Sequence, residues 1–259
     1  MKNPAMFRQS PFWTEWGWRA LLPLSLLILI AVGARAWAEH GAEAALLRAD
    51  PETILSSPTL APFALRLGRN TFMQACASCH GERGRGLIAR GVPDLADRDR
   101  LYGEGHVAEI ETIVLYGIRS GHSKGQHLAS MPAYATSRPY EAEPLPSLSP
   151  GEIGDVVQLL RSYEGQAAPT DAVARGVKVY AKAGCWDCHG AEGGGDAAVG
   201  APDLRDRVAL NGGSTAALTR SVSLGRAGVS PAFAGRLSPV RVRAVAAYVA
   251  SLSLPGVPK

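Results

Sequence analysis

Cysteine is scarce in this chain: there are four among 259 residues, and all four fall in two short stretches. No cysteine is left over for a structural disulfide elsewhere. Aromatic residues make up only 7% of the chain, and there is no block of Lys and Arg with interleaved aromatics. That absence argues against nucleic acid as a partner, although the net charge is +4. Glycine (29 residues) and proline (18 residues) are plentiful instead, which favours small, loop-rich domains.

The four cysteines form two copies of one pattern, in which two cysteines are separated by two residues and followed by histidine. This is the attachment pattern of c-type haem. The two thiols can form thioethers to the two vinyl groups of the porphyrin, and the histidine then binds the iron. The two copies are Cys76-Ala77-Ser78-Cys79-His80 and Cys185-Trp186-Asp187-Cys188-His189.

Two other uses of paired cysteines fit the sequence less well. A structural zinc site would use four thiolates but would not need a histidine after each pair, and these pairs are 109 residues apart. A thioredoxin-like redox site would need a single pair in a βαβ setting. We therefore expect two covalently bound haem c groups. Attachment of haem c outside the cytoplasm implies an oxidising compartment.

Residues 1–38 are predicted to form an N-terminal membrane anchor, with the span at about residues 19–37. Ala20–Ala34 carries no charge, and tryptophans flank it on both sides, as in an interfacial aromatic belt. Basic residues before the span orient the N-terminus towards the cytoplasm. The alternative is a cleavable signal peptide, because Ala36-Trp37-Ala38 resembles a cleavage site. Residues 39–61 are expected to be a polar connector.

The rest of the chain is an internal repeat. The segment from Cys79 aligns with the segment from Cys188 at a constant offset of 109 residues. Each copy opens with a helix that runs into the cysteine motif and closes with an amphipathic helix preceded by Leu-Ser-Pro. The repeat predicts two equivalent domains, residues 62–165 and residues 166–259.

Each repeat resembles the class I cytochrome c fold, with helix, haem motif, Gly-rich loop, Pro-Asp-Leu, middle helix, distal loop and closing helix in that order. The implied fold class is mainly α, with one N-terminal transmembrane helix followed by two tandem cytochrome c domains. In that family a proline after the motif offers its carbonyl to the proximal histidine. Pro93 and Pro202 match that position, as supports of His80 and His189.

The position of the sixth iron ligand differs between the two repeats. Met131 lies in a loop 51 residues after His80, and it is expected to be the second axial ligand of the first haem. Ser230 stands at the matching position of the second repeat, which has no methionine. The distal ligand of the haem at His189 is therefore unknown, and we expect that haem to be weakly ligated with the lower potential. The fallback ligands are His106, His122 and His127 for the first haem, and Lys178, Tyr180, Lys182 and Tyr248 for the second.

One span, a connector and two cytochrome c domains resemble the dihaem subunit III (FixP/CcoP) of cbb3-type cytochrome c oxidase. PDLADRDRLYGEGHVAEIETIVLYGIRSGH and GRAGVSPAFAGRLSPVRVRAVAAYVASLS resemble that family beyond the haem motifs, although the family usually has Met in place of Ser230. The resemblance implies a single-pass protein in the lipid of a bacterial inner membrane, with its haem domains on the periplasmic side. It would relay electrons from a soluble or membrane cytochrome c, or a quinol–cytochrome c reductase, to the monohaem and catalytic oxidase subunits. The chain itself would carry no catalytic residues.

Three other functions remain open on the sequence alone. The chain could be the electron-transfer subunit of another periplasmic dehydrogenase, or a gas or redox sensor that uses the haem without methionine. A peroxidase is the weakest alternative, because the second repeat has no histidine besides His189 to form a distal acid–base pair.

Overall fold

The structure is a computed structural model that describes residues 12–87, 90–97, 100–127, 129–141, 144–206 and 210–254, with only the backbone described in residues 12–22. The predicted mainly α class is confirmed, because β pairing in these ranges is limited to isolated bridges. The α-helices of these ranges are α1 (Phe12–Arg48), α2 (Leu60–Ala75), α3 (Ala77–His80), α4 (Val107–Tyr116), α5 (Pro150–Tyr163), α6 (Thr170–Lys182), α7 (Cys185–His189), α8 (Thr215–Leu224) and α9 (Pro239–Ser251).

Helix α1 contains the predicted span. Its segment Pro23–Arg48 is long and apolar enough to cross a bilayer by length and composition. The helix continues through residues 39–48, the first part of the expected connector, because that stretch is rich in Ala, Leu and Glu, which favour helix. Residues 1–11 of the expected anchor lie outside the described residues.

The chain divides after Arg48, and residues 49–259 form a second unit in which the two repeats exchange helices. Helix α2, which opens the first repeat, packs against α9, which closes the second repeat. Helix α6, which opens the second repeat, packs against α5, which closes the first. This packing corrects the expectation that each closing helix completes its own domain, 62–165 or 166–259. Only residues 164–169 separate α5 from α6, and so short a loop favours packing of the helices that it joins.

Glycine permits the close approach of both exchanged helix pairs. A Cβ atom on Gly68 of α2 would lie 2.1 Å from the carbonyl oxygen of Ala244 in α9. A Cβ atom on Gly176 of α6 would lie 2.3 Å from the carbonyl oxygen of Asp155 in α5. Side chains larger than hydrogen are therefore excluded at both crossings unless the helices move apart.

Two hydrophobic cores follow from these pairings, and each contains residues of both repeats. The core that we call the Cys76 core has Cys76 at its edge and consists of Phe72, Ala96, Val245, Tyr248, Val249 and Leu252. The core that we call the Cys185 core has Cys185 at its edge and consists of Tyr134, Leu148, Ile153, Val156, Val157, Leu160, Val179, Ala183 and Val222. Each haem motif therefore lies against a core that only the exchange of helices completes.

Candidate haem sites

The motif cysteines lie at short helices. All four are free of disulfide bonds. Burial, together with the nearby Cys79, raises the pKa of Cys76 to about 11, and burial also raises the pKa of Cys185. In the described ranges, no group of three or more His, Cys, Asp or Glu side chains is arranged to hold a metal ion, so a structural zinc site gains no support.

Both motif histidines contact the proline carbonyl expected for a proximal ligand. Nδ1 of His80 lies 3.4 Å from the oxygen of Pro93, and Nδ1 of His189 lies 3.0 Å from the oxygen of Pro202. A carbonyl only accepts hydrogen bonds, so Nδ1 carries the proton and Nε2 keeps its lone pair. Burial lowers the pKa of both rings, against the smaller opposing effect of the proline contact. Each ring is therefore neutral and oriented for an iron on its Nε2 side.

The Gly-rich loops that carry these prolines have the same backbone hydrogen bonds in both repeats. One bond returns to the carbonyl of the motif histidine, and one bond closes the loop around the Pro-Asp-Leu segment. The donors and acceptors are Gly86 N to His80 O (2.9 Å) and Leu95 N to Gly84 O (2.6 Å), and Gly195 N to His189 O (2.9 Å) and Leu204 N to Gly193 O (2.7 Å). The offset of 109 residues thus corresponds to two equivalent sites.

Met131 lies at the site of the second motif. Its side chain packs against the Cys185 core. Its backbone forms a two-way bridge with Arg226, just after α8, with N···O distances of 2.8 and 3.2 Å. Nearby, the hydroxyl of Tyr134 donates to the carbonyl of Ala183 at 2.8 Å. The order of residues in the sequence paired Met131 with His80, but in the structure Met131 lies beside the motif that contains His189.

Ser230 takes the matching position beside the first motif. Its backbone forms a two-way bridge with Ile118, just after α4, with both N···O distances at 2.9 Å. The amide of Phe233 then donates to the carbonyl of Val114 in α4 at 3.0 Å. Helix α4 belongs to the first site, because Val114 packs against the Cys76 core. Met131 and Ser230 thus hold equivalent positions in the structure, as their alignment predicts. The Met131 loop, however, lies at the second motif, and the Ser230 loop lies at the first.

The fallback ligands from the sequence have other contacts. Lys182 forms an ion pair with Glu152 at 2.7 Å, Tyr180 donates to a loop carbonyl, and Lys178 is exposed. Tyr248 packs its ring against Phe72 in the Cys76 core. The three histidines suggested for the first haem also have partners. His106 lies beside the carboxylate of Glu104. Nδ1 of His122 accepts from the amide of Lys124, and Nδ1 of His127 contacts the carbonyl of Gly125.

The two sites also contact each other through their loops. The amide of Gly103 donates to the carbonyl of Ala197 at 3.2 Å. A Cβ atom on Gly200 would lie 2.1 Å from the ring of Tyr102. The segment that follows each motif therefore touches its counterpart. No sequence pattern predicts this contact, because it depends on the exchange of helices.

These features fit covalent haem in both copies. The four cysteines form no disulfide, each motif histidine has Nδ1 near a proline carbonyl, and a loop from the other repeat lies beside each motif. The family profile for cytochrome c oxidase, cbb3-type, subunit III matches residues 63–143 and 171–249. The chain belongs to this family.

The sequence is also similar to named FixP and CcoP subunits of several bacteria. It is 39% identical to the FixP subunit of Bradyrhizobium sp. (strain ORS 278) over 213 residues, which cover 81% of this chain and 68% of the relative. It is 37% identical to FixP of Azorhizobium caulinodans, covering 78% and 64% of the two chains. It is 35% identical to CcoP of Rhodobacter capsulatus, covering 81% and 69%. The chain thus spans about two thirds of the length of these relatives.

Family membership confirms the identification made from sequence motifs. The chain is a membrane-anchored c-type cytochrome of electron transfer rather than the oxygen-reducing subunit itself. A dehydrogenase subunit or a gas or redox sensor is accordingly not favoured.

Proposed function

We propose that the chain holds two covalent haem c groups and relays electrons to the catalytic and monohaem subunits of a cbb3-type oxidase. Its donor would be a soluble or membrane cytochrome c or a quinol–cytochrome c reductase. The observation that carries the proposal is the pair of equivalent motifs in one unit, each with its histidine on a proline carbonyl. The haems supply the one-electron couple, and the protein residues set its ligation and its surroundings.

The axial ligands of the second haem are His189 and Met131 in this proposal. Support comes from the packing of Met131 in the Cys185 core and from its bridge to Arg226. A thioether ligand favours the ferrous state, so this haem has the higher potential of the two. We therefore reverse the order of potentials that sequence order suggested, because the methionine of the first repeat serves the second motif.

The exchange also keeps the two haems adjacent, as electron transfer between them requires. The Gly103–Ala197 contact and the contact of Tyr102 with Gly200 join the loops that follow the motifs. Because α9 completes one site and α5 the other, the two sites cannot separate without breaking both cores. Electron transfer within the chain would therefore need no domain movement.

The proposed location is the bacterial inner membrane, with a single span and the haem domains on the periplasmic side. Helix α1 supports the anchor by its length and composition. The basic residues that precede the apolar stretch support the orientation. A cleaved signal peptide would instead release the cytochrome unit from the membrane.

The test is purification of the C-terminally tagged full chain from native membranes in mild detergent. We expect two haem c groups per chain, and b-type haem in the same oxygen-consuming material. Haem c without any b-type haem would refute a stable oxidase subunit. Recovery of the chain only from the soluble fraction would show that the N-terminal segment is cleaved.

A further inference from the structure

Ser230 occupies the place of an axial ligand but cannot serve as one. Its backbone bridge to Ile118 matches the bridge between Met131 and Arg226, so the two residues hold equivalent positions in their loops. The serine side chain ends in a hydroxyl on Cβ, whereas methionine carries its sulfur one methylene further out, followed by a methyl group. A neutral hydroxyl is a hydrogen-bonding group rather than an iron ligand of the thioether kind.

The loop around Ser230 is fixed, so it cannot readily bring another residue to the iron. The guanidinium of Arg119 donates to the carbonyl of Gly228 at 2.6 Å and to the carbonyl of Ala129 at 2.7 Å. The same side chain donates to the hydroxyl of Tyr102 at 3.1 Å. The bond to Gly228 and the bridge to Ile118 hold the backbone of the Ser230 loop, and the other two bonds anchor Arg119 itself.

The side chains near this loop do not offer a clear replacement ligand. Nδ1 of His122 accepts from the amide of Lys124, so the proton of the neutral ring lies on Nε2. His127 is exposed, and its Nδ1 lies 2.6 Å from the carbonyl of Gly125. Met73 belongs to α2, which leads directly into the motif of His80, and packs against the Cys76 core. His127 is therefore the one competitor that the test must address.

We propose that the haem iron bound by His80 is open on the Ser230 side and binds a neutral diatomic ligand such as CO or NO when it is ferrous. This inference rests on the proposed attachment of haem at both motifs. Val229 is 68% exposed, so the covering segment lies at the surface and a small ligand can reach it. In the part of the chain that the structure describes, the half-buried Ser230 hydroxyl has no hydrogen bond to protein, and it is free to donate to a bound ligand.

The stoichiometry of CO binding tests the open site. The full chain, with two haems per chain verified by haem assay, is reduced and titrated with CO. We expect one CO per chain in the wild type and almost none in Ser230→Met, which restores a thioether at the covering loop. Met131→Ser should bind two CO per chain, because it opens the second iron as well. Met73→Leu is the matched control and should still bind one.

A spin label identifies which iron is open. All native cysteines are used by the haems in this proposal, so a nitroxide can be attached selectively to Arg69→Cys in α2 or to Lys178→Cys in α6. Both positions are exposed, and they are separated by the offset of 109 residues that relates the motifs. With NO on the ferrous protein, the other low-spin ferrous haem is diamagnetic. We expect the Fe–NO centre to enhance the relaxation of the label at position 69 more than that of the label at 178.

Three results would overturn the proposal. The first is no CO binding by a chain that holds two haems, and a gain of binding in His127→Ala would then identify histidine as the sixth ligand. The second is undiminished CO binding in Ser230→Met. The third is stronger relaxation at position 178, which would place the open iron at His189. A chain with fewer than two haems would contradict the proposed function instead, so the two failures are distinguishable.

Discussion

Helix exchange predicts that a cavity in one repeat destabilises the haem site of the other. Val245 in α9 is 0% exposed in the Cys76 core, and Val157 in α5 is 1% exposed in the Cys185 core. Substitution of either valine by alanine removes two carbon groups, worth about 1.6 kcal/mol of transfer free energy. The cavity left behind raises the loss of local stability to about 2–3 kcal/mol.

Hydrogen exchange of the two opening helices measures where that loss occurs. Val245→Ala should lower the protection of amides in α2, which is 170 or more residues away in sequence, and change α6 little. Val157→Ala should do the reverse. A loss of about 2 kcal/mol corresponds to roughly thirtyfold faster exchange for amides that exchange by opening of that core.

Comparison of Val245→Ala with Val157→Ala shows which results would refute the exchange of helices. If Val245→Ala deprotects α6 while α2 is unaffected, each closing helix belongs to its own repeat and the exchange is wrong. If both variants deprotect both helices equally, residues 49–259 open as one cooperative unit, and the description as two cores fails.

Three further changes probe the same interfaces by thermal or denaturant unfolding of the holoprotein. Gly176→Ala should destabilise by about 1–3 kcal/mol through the clash at the crossing, whereas Gly154→Ala, which has open space around it, should stabilise by up to about 1 kcal/mol. Hydrogen bonding from Lys182 lowers the pKa of Glu152 to about 2. The wild type should therefore be more stable than Glu152→Gln, fully so above about pH 5, and this difference in unfolding free energy should disappear as the pH falls towards about 2. Tyr134→Phe should lower the free energy of unfolding by about 1–2 kcal/mol, because the buried carbonyl of Ala183 loses its donor. An unchanged unfolding midpoint would refute that hydrogen bond.

Local features of the fold could be predicted because short sequence patterns determine them. Ser149 before Pro150 predicts a helix start, and the structure has a capping box there, in which Ser149 and Glu152 bond to each other's amides. The resemblance to class I cytochromes c implies a proline carbonyl beside each motif histidine, and Nδ1 of both rings lies near such a carbonyl. Periodicity also predicted the buried face of α5, whereas α9 is buried on nearly every side.

The exchange of helices could not be predicted from these patterns. An apolar stripe on α5 or α9 requires a partner, but both opening helices offer an equivalent stripe and a glycine for close packing. Each closing helix could therefore pack equally well against the opening helix of its own repeat or against that of the other repeat. The signal that could have decided the matter is length, since the six residues 164–169 join α5 to α6 closely.

Because each site draws on both repeats, no single repeat contains a complete haem site. A fragment of residues 62–165 would hold His80 and Met131 in one chain, but it would lack α9 and the Ser230 loop that cover the first motif. Once separated from the Cys185 core, Met131 would be available to the iron at His80, and the fragment would then combine His80 with Met131, a ligand pair that differs from the one proposed for the full chain. Potentials and ligand affinities measured on such a fragment would therefore describe a different set of ligands. The coordination of each iron in this chain has to be measured on residues of both repeats together.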